Sequence, residues 1–435
     1  MPDPSHWQAA TPLAWDVARA LAHATAVPLA PRSLPLSATA GTTLATPLVA
    51  PGAVPPVDRS AMDGYAVSGV GPWQLVGTVL AGSDQRPELA DGQAYAVVTG
   101  ATVPAGTTEV LPDEEARIEH GIVRVAPAPA GPEVDKGGSP FHSPSARSEP
   151  GPGALGSPSP LDAPGGGGRN IRRAGEECAA GELLLPAGVR IEPSVLGLAA
   201  AVGLDRLTVI PKPRVAAFVT GDELVRRGAS GPGRVRDAIG PMLPGLIERA
   251  EASCCGVTHL ADSRQALRNA LEACEAELIL VSGSSAAGPA DHLRAALSGL
   301  DAEMVIDGVA CRPGHPQALA RLTDGRLVIG LPGNPFAALT AFLTLSIAVL
   351  HRMRGLALPR LPVAPIQGGL AGHPARTRLV PVRITRDGAV PVGHAGSAML
   401  RGAAAADALA IIEPGPTAIT ARLLPLDPGV CVWPF

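Results

Sequence analysis

Several stretches of the chain carry side chains whose types and spacing can do chemistry. Asp58 and Asp63 lie five residues apart in PPVDRSAMDGYAV, a segment of turn residues with little helix propensity. Such carboxylates either hold a metal or a polar ligand, or cap turns. Thr99 stands before Gly100 at the end of a β-type run, where its hydroxyl either donates to a ligand or closes the turn. Three further loops each follow a short apolar run: Thr220-Gly221-Asp222-Glu223, the small-residue loop from Ser282-Gly283-Ser284 to Gly288, and Pro332-Gly333-Asn334-Pro335. In the last, Asn334 falls at an N-cap and Pro335 at the first helical position. A tight turn of this kind offers backbone N–H groups and the positive pole of a helix to an anion. The alternative is an ordinary strand-to-helix connection.

These loops are positioned by an alternating pattern. Apolar runs at 214–219, 257–260, 278–281, 304–306 and 327–331 read as strands. Helical spacing fills 242–252, 263–275 (with Asp262 as cap), 291–300 and the apolar stretch after Pro335. Strands alternating with helices of these lengths predict a doubly wound, mostly parallel sheet. Ligands of such sheets bind beyond the carboxyl ends of the strands, where the acidic loop and the two small-residue loops fall. That arrangement suits an anionic ligand with a divalent cation.

On either side the pattern changes. Thr11 and Pro12 read as cap and first residue of a helix over 13–24, followed by a Pro-, Ala- and Thr-rich extended stretch. Short β runs occupy 73–96 and 109–125. Residues 127–167 are dominated by Pro, Gly, Ser and Ala and are expected to be a disordered insertion, because they cannot bury enough apolar area to offset ordering entropy. A helix closed by Gly203 and a β run at 206–210 follow. The last 81 positions, 355–435, read as a small β-barrel or sandwich with a polar loop ending at Ser397.

The totals set bounds. A chain of 435 residues is too long for one core. Hydrophobic residues make up 46% but aromatics only 3%, so the core must be Leu, Val and Ala. A net charge of −4 excludes a general nucleic-acid or anionic-membrane binder. The six cysteines (178, 254, 255, 274, 311 and 431) form no CxxC pair, which argues for reduced thiols and against zinc. The N-terminus lacks the regions of a signal peptide, and the apolar stretch 339–350 is shorter than a bilayer requires. A cytoplasmic protein is expected.

DRSAMDGYAV, VVTGATVPAG, NIRRAGEECAAGELLLPAG, PRVAAFVTGDELV, SGSSAAGPAD, RPGHP and LPGNPFAALTAF occur in this order. Together they resemble the molybdopterin molybdenumtransferases, the MoeA and gephyrin E-domain family, over nearly the whole chain outside the insertion. The resemblance implies a multidomain α/β and β fold. An elongated, dimer-forming domain (1–57 and 168–210) carries an inserted β domain (58–126). A doubly wound molybdopterin-binding α/β domain (211–354) and a C-terminal β-barrel domain (355–435) complete it. It further implies a homodimer that inserts molybdate into adenylylated molybdopterin with Mg²⁺ and releases AMP, with transfer partners in cofactor biosynthesis. Matched motif by motif, Asp58, Asp63, Glu223, Asp237, Asp291 and Arg312 take catalytic roles. Asp222, Glu223, Asp237 and Asp291 hold the metal. Thr99, Thr220, Gly221, Ser282, Gly283, Ser284, Gly288, Pro332, Gly333, Asn334 and Ser397 bind the pterin or its phosphates.

The chain departs from the family pattern around one pocket. Ser284 stands for a Gly and Ala286 for a Ser in the glycine loop. Arg312-Pro-Gly-His-Pro316 replaces a lysine-bearing stretch, and Gly308 stands where a further Lys is common. Asp237-Ala-Ile239 lacks two polar side chains, and Gly175-Glu-Glu177 carries a longer carboxylate. These changes leave a second reading open: a relative that binds molybdopterin without turnover, or a dimeric scaffold.

Overall fold

The computed structural model describes residues 11–127, 168–283 and 292–427. The insertion expected at 127–167, all but its first residue, and Ser284, Gly288 and Asp291 lie outside the described residues, as does the β run expected at 431–433. The chain forms two compact units: residues 1–46, 186–196 and 205–435, and residues 47–185 and 197–204.

In the first unit, α1 (Trp15–Thr25) precedes a sheet built from β1 (Arg214–Thr220), β2 (Ser253–Leu260), β3 (Leu278–Ser282), β4 (Glu303–Asp307), β5 (Ala318–Arg321) and β6 (Leu327–Leu331). Their order is β2-β1-β3-β6-β5-β4. The first four strands are parallel, and β5 and β4 are an antiparallel edge. Strand β3 is buried along its whole length, and its sequence LILVS has no polar alternation, as a strand covered on both faces requires. The doubly wound, mostly parallel expectation is met.

The helix after β6 is longer than the sequence suggested. It runs from Pro335 to Met353, 19 residues with a mean hydropathy of 1.6, long and apolar enough to cross a bilayer by length and composition; 89% of its most apolar window is buried inside the protein. A helix apolar on every side is a core helix when it is enclosed in this way. Its turn from Phe342 to Ser346 is a π-turn. The Trp15 indole donates to Thr344 Oγ1 there at 3.0 Å, tying α1 to the core helix. Helix α1 starts later than expected, because Leu13 is drawn into a bridge with Val309 and Ala14 becomes the N-cap. Asp262 likewise loses the capping role to Ser263, whose hydroxyl accepts from the Ala266 N–H.

Strands Val363–Leu370, Thr377–Thr385, Gly388–Pro391, Ala408–Ile412 and Ala418–Pro425 close into a barrel around Ala364, Ile366, Val382, Ala410 and Leu423. Short strand Cys311–Arg312 joins it in parallel, setting Arg312 beside Arg378.

The second unit holds a six-stranded sheet. Its strand Gly64–Val67 is buried on both faces: Tyr65 and Val67 enter one core, Ala66 the other. Segment 168–172 returns to this unit, where Ile171 pairs with Ser60.

Candidate functional site

The strand order β2-β1-β3-β6-β5-β4 creates a switch point between β1 and β3, because the connection leaving β1 runs to β2 on one side and the connection leaving β3 runs to β4 on the other. Crevices of this kind receive the ligands of open α/β sheets. Thr220, at the end of β1, and Ser282, at the end of β3, are buried, and the Thr220 hydroxyl donates to the Ser282 carbonyl at 3.1 Å. Gly283 then turns with φ +98°. A Cβ there would lie 2.3 Å from the Thr220 carbonyl oxygen, so the two loops approach closely only because this residue is glycine. A Cβ on Gly333 would meet the Gly283 Cα at 3.8 Å, which places the Pro332-Gly333-Asn334 turn against the same loop. Gly333 and Asn334 are exposed.

The helix start is less open than its sequence suggests. Asn334 occupies the N-cap, but its side chain makes no capping bond. Pro335 has no N–H, and the Ala337 N–H donates to the Ser397 carbonyl at 3.0 Å. The Phe336 N–H is the first-turn donor left without a backbone partner among the described residues. The same bond brings the exposed Ser397 to the helix start, far in sequence but adjacent in space.

Acidic residues gather beside the switch point. Asp222 and Glu223 are exposed, and Glu223 folds back over Gly221. Asp222 Oδ1 accepts from the Asp262 N–H at 3.2 Å. Burial pushes the Asp262 carboxyl up; His292, 3.9 Å away, opposes this, and the charges of Asp222 and Glu223 push it further up. Asp262 was read as a helix cap. What reveals it is this electrostatic neighbourhood, which sequence spacing does not contain. Carboxylates brought close enough to raise one another suit a divalent ion. Among the described residues no three His, Cys, Asp or Glu side chains converge closely enough to be a preformed metal set. Mg²⁺, which keeps several waters and takes one or two carboxylates, fits such an open arrangement.

Asp237 does not fit a metal in this geometry. It is 5% exposed, its Oδ1 accepts from the Ile239 and Gly240 N–H groups at 2.9 Å each, and its Oδ2 faces His259 Nε2 at 2.8 Å. Both oxygens are engaged. Arg312 is the opposite case: exposed, with no acid paired to it among the described residues. Its strand partner is Arg378, and Arg376 is close enough to act on the Cys311 thiol. These two barrel arginines went unnoticed in the sequence, since only strand pairing brings them to the RPGHP loop.

The second unit holds the other predicted residues. Burial raises the Asp58 carboxyl, but the Ala174 N–H (2.8 Å) and Arg173 outweigh it and hold it below the usual carboxylate range. Asp63 is also held low, by the Thr99 N–H at 2.6 Å and the Thr99 hydroxyl at 2.9 Å. Asp58 and Arg173, with Arg86, Thr102 and Val103, line a cavity of about 300 Å³.

Comparison with known proteins matches stretches of the chain to named families. The MoeA N-terminal region (domain I and II) matches residues 13–203, a probable molybdopterin binding domain residues 216–352, and the MoeA C-terminal region (domain IV) residues 363–421. Molybdopterin molybdenumtransferase 2 of Mycobacterium tuberculosis is 32% identical over 350 residues, 76% of this chain and 77% of that protein. The chain belongs to the MoeA family. The molybdopterin molybdenumtransferase of Synechococcus elongatus is also 32% identical, over 334 residues, 72% of this chain and 73% of that one. A MoeA crystal structure from Pyrococcus horikoshii shares the fold, with a TM-score of 0.72 at 23% identity, covering 96% of this chain and 99% of that one. The molybdopterin-binding match of the MoeA-family chain spans the β1, β3 and β6 ends, and therefore the crevice described above.

Proposed function

We propose that this MoeA-family chain is a molybdopterin molybdenumtransferase of molybdenum cofactor biosynthesis, transferring molybdenum from molybdate to adenylylated molybdopterin with release of AMP. The observation that carries this reading is the coincidence, at one switch point, of glycine turns at Gly283 and Gly333 with the neighbouring carboxylates Asp222, Glu223 and Asp262. The glycine turns let backbone approach the phosphates and pterin. The Phe336 N–H and the Asn334 and Ser397 side chains offer hydrogen bonds at the mouth of the crevice. Asp222, Glu223 and Asp262 are the residues that would hold Mg²⁺, with Asp291 implied by resemblance; bound there, the ion supplies positive charge to the phosphoanhydride. Arg312, flanked by Arg376 and Arg378, attracts the molybdate dianion. Asp237 acts from beneath, fixing the Ile239–Gly240 turn and His259. Asp58 and Asp63 orient Arg173 and Thr99 in their own unit.

The family likeness also supports a homodimer in the cytoplasm and the domain division at 57, 126, 168, 211 and 355. The binding-only reading is not favoured, since relatives named as transferases match over most of the chain.

The test is AMP release from adenylylated molybdopterin by the purified protein, with and without molybdate and Mg²⁺. Release that requires both supports the reading. Tight pterin binding with no release refutes it.

A further inference from the structure

We propose that Gln317 is a positioning residue that grips the Arg312–Pro316 loop from within the core and so sets where Arg312 meets the oxyanion. The inference rests on the reading that Arg312 contacts molybdate, and adds a residue to that site.

Gln317 is fully buried, although glutamine is seldom found inside. Its Nε2 donates to the Gly314 carbonyl at 2.8 Å and reaches Cys311 Sγ at 3.3 Å. The amide orientation follows, because a carbonyl only accepts. Cys311, also fully buried, directs its thiol to the Pro313 carbonyl at 3.3 Å. Thr340, on the core helix, donates to the Ala337 carbonyl at 2.8 Å and lies 3.4 Å from the Pro313 carbonyl. The backbone of Gln317 closes the ring: its carbonyl accepts from the Gly308 N–H and its N–H donates to the His315 carbonyl, each at 2.9 Å.

Two consecutive loop carbonyls, those of Pro313 and Gly314, are thus held by the buried Cys311 thiol and Gln317 amide, with the Thr340 hydroxyl packed 3.4 Å from the first, while Arg312 at the loop's start is exposed. Gly314 permits the close approach: a Cβ there would lie 2.7 Å from Thr340 Oγ1. Gln317 Oε1 has no partner among the described residues. An apolar side chain of equal volume would fill the space without burying that oxygen. What the amide adds is its donor pair, and both donors point at the loop or its anchoring thiol. A small displacement of a charged group that must meet a substrate can cost up to about 10²-fold.

Gln317→Met keeps the volume and removes the donors. The expected result is a rise of about tenfold in KM for molybdate, with kcat and the KM for adenylylated molybdopterin within twofold of the parent and Tm little changed. Thr340→Val shifts the same constant in the same direction, and Thr340→Ser, which restores the hydroxyl, retains the parent value; this pair decides the matter should Q317M fail to fold. An unchanged molybdate KM in Q317M and T340V, or both KM values moving together with Tm, overturns the proposal. Arg312→Ala separates the two levels: no change in its molybdate KM overturns the reading beneath, whereas a rise in R312A without one in Q317M or T340V overturns only the role of Gln317.

Discussion

The two units use the same residue type under opposite electrostatic conditions. In the second unit each singled-out carboxylate has donors of its own. Asp58 is bonded to Arg173 and the Ala174 N–H, and Asp63 to Thr99, and both titrate below the ordinary carboxylate range. At the sheet ends of the first unit, Asp222, Glu223 and Asp262 neighbour one another, and Asp262 titrates above that range. A carboxylate stabilised by its own fold is committed to holding that fold. A carboxylate destabilised by its neighbours has charge left to offer a cation. Asp237 shows that the distinction follows from partners and not from the unit, because it lies in the first unit and yet is saturated by two N–H groups and His259.

The comparison breaks most visibly in activity. Asp222→Asn with Glu223→Gln removes the uncommitted charge, and molybdate- and Mg²⁺-dependent AMP release should fall by about 10²-fold or more, a loss of several kcal/mol of charge stabilisation. Circular dichroism and Tm should stay near the parent, since neither side chain is buried. A loss of Tm in proportion to the loss of rate would place these residues with Asp58.

Asp237→Ala should do the reverse. It strands two buried N–H groups and removes the partner of His259, so denaturant unfolding should show a loss of about 3 kcal/mol. The Mg²⁺ concentration for half-maximal rate in the folded fraction should not move; a large increase would return Asp237 to the metal set.

Asp58→Ala should cost about 1 kcal/mol, because its ion pair with Arg173 is partly exposed and screened by solvent. The change should be readable as a small drop in Tm.

The smallest effect is in pH dependence, and the two groups carry opposite signs. Asp58 and Asp63 have lowered folded values, so the stability they contribute is present above the ordinary carboxylate value and is lost as pH falls through the folded values. Asp262 has a raised folded value. The folded state there keeps a proton that the unfolded chain releases, and stability declines as pH rises from the ordinary value through the folded one. Thermal melts against pH should show D58N flattening the acid limb and D262N flattening the decline above it. Added Mg²⁺ should raise Tm more at neutral than at acid pH if the acidic group binds the ion.

Much was legible in the chain itself. Alternation of apolar runs with helical spacing from 214 to 353 determined the mostly parallel sheet, because burial on two faces demands strands such as LILVS with no polar alternation. The motifs determined the family, and the Gly-rich ends located the crevice, because a residue without Cβ is the one that lets two loops close as Gly283 and Thr220 do. What sequence spacing could not contain was how side chains divide donors and charges among themselves. Asp237 and Asp222 look alike along the chain; three hydrogen-bond partners drawn from distant or folded-back positions make the first structural. Asp262 reads as a cap until Asp222, Glu223 and His292 surround it. Arg376 and Arg378 reach the RPGHP loop only through strand pairing, and Gln317 becomes a loop anchor only once the loop folds back to set the Gly314 carbonyl against its amide. Hydrogen bonds need their atoms within about 3 Å, and charge interactions in salt are screened within about 10 Å, so which residues become partners across the sequence is decided by the tertiary structure alone.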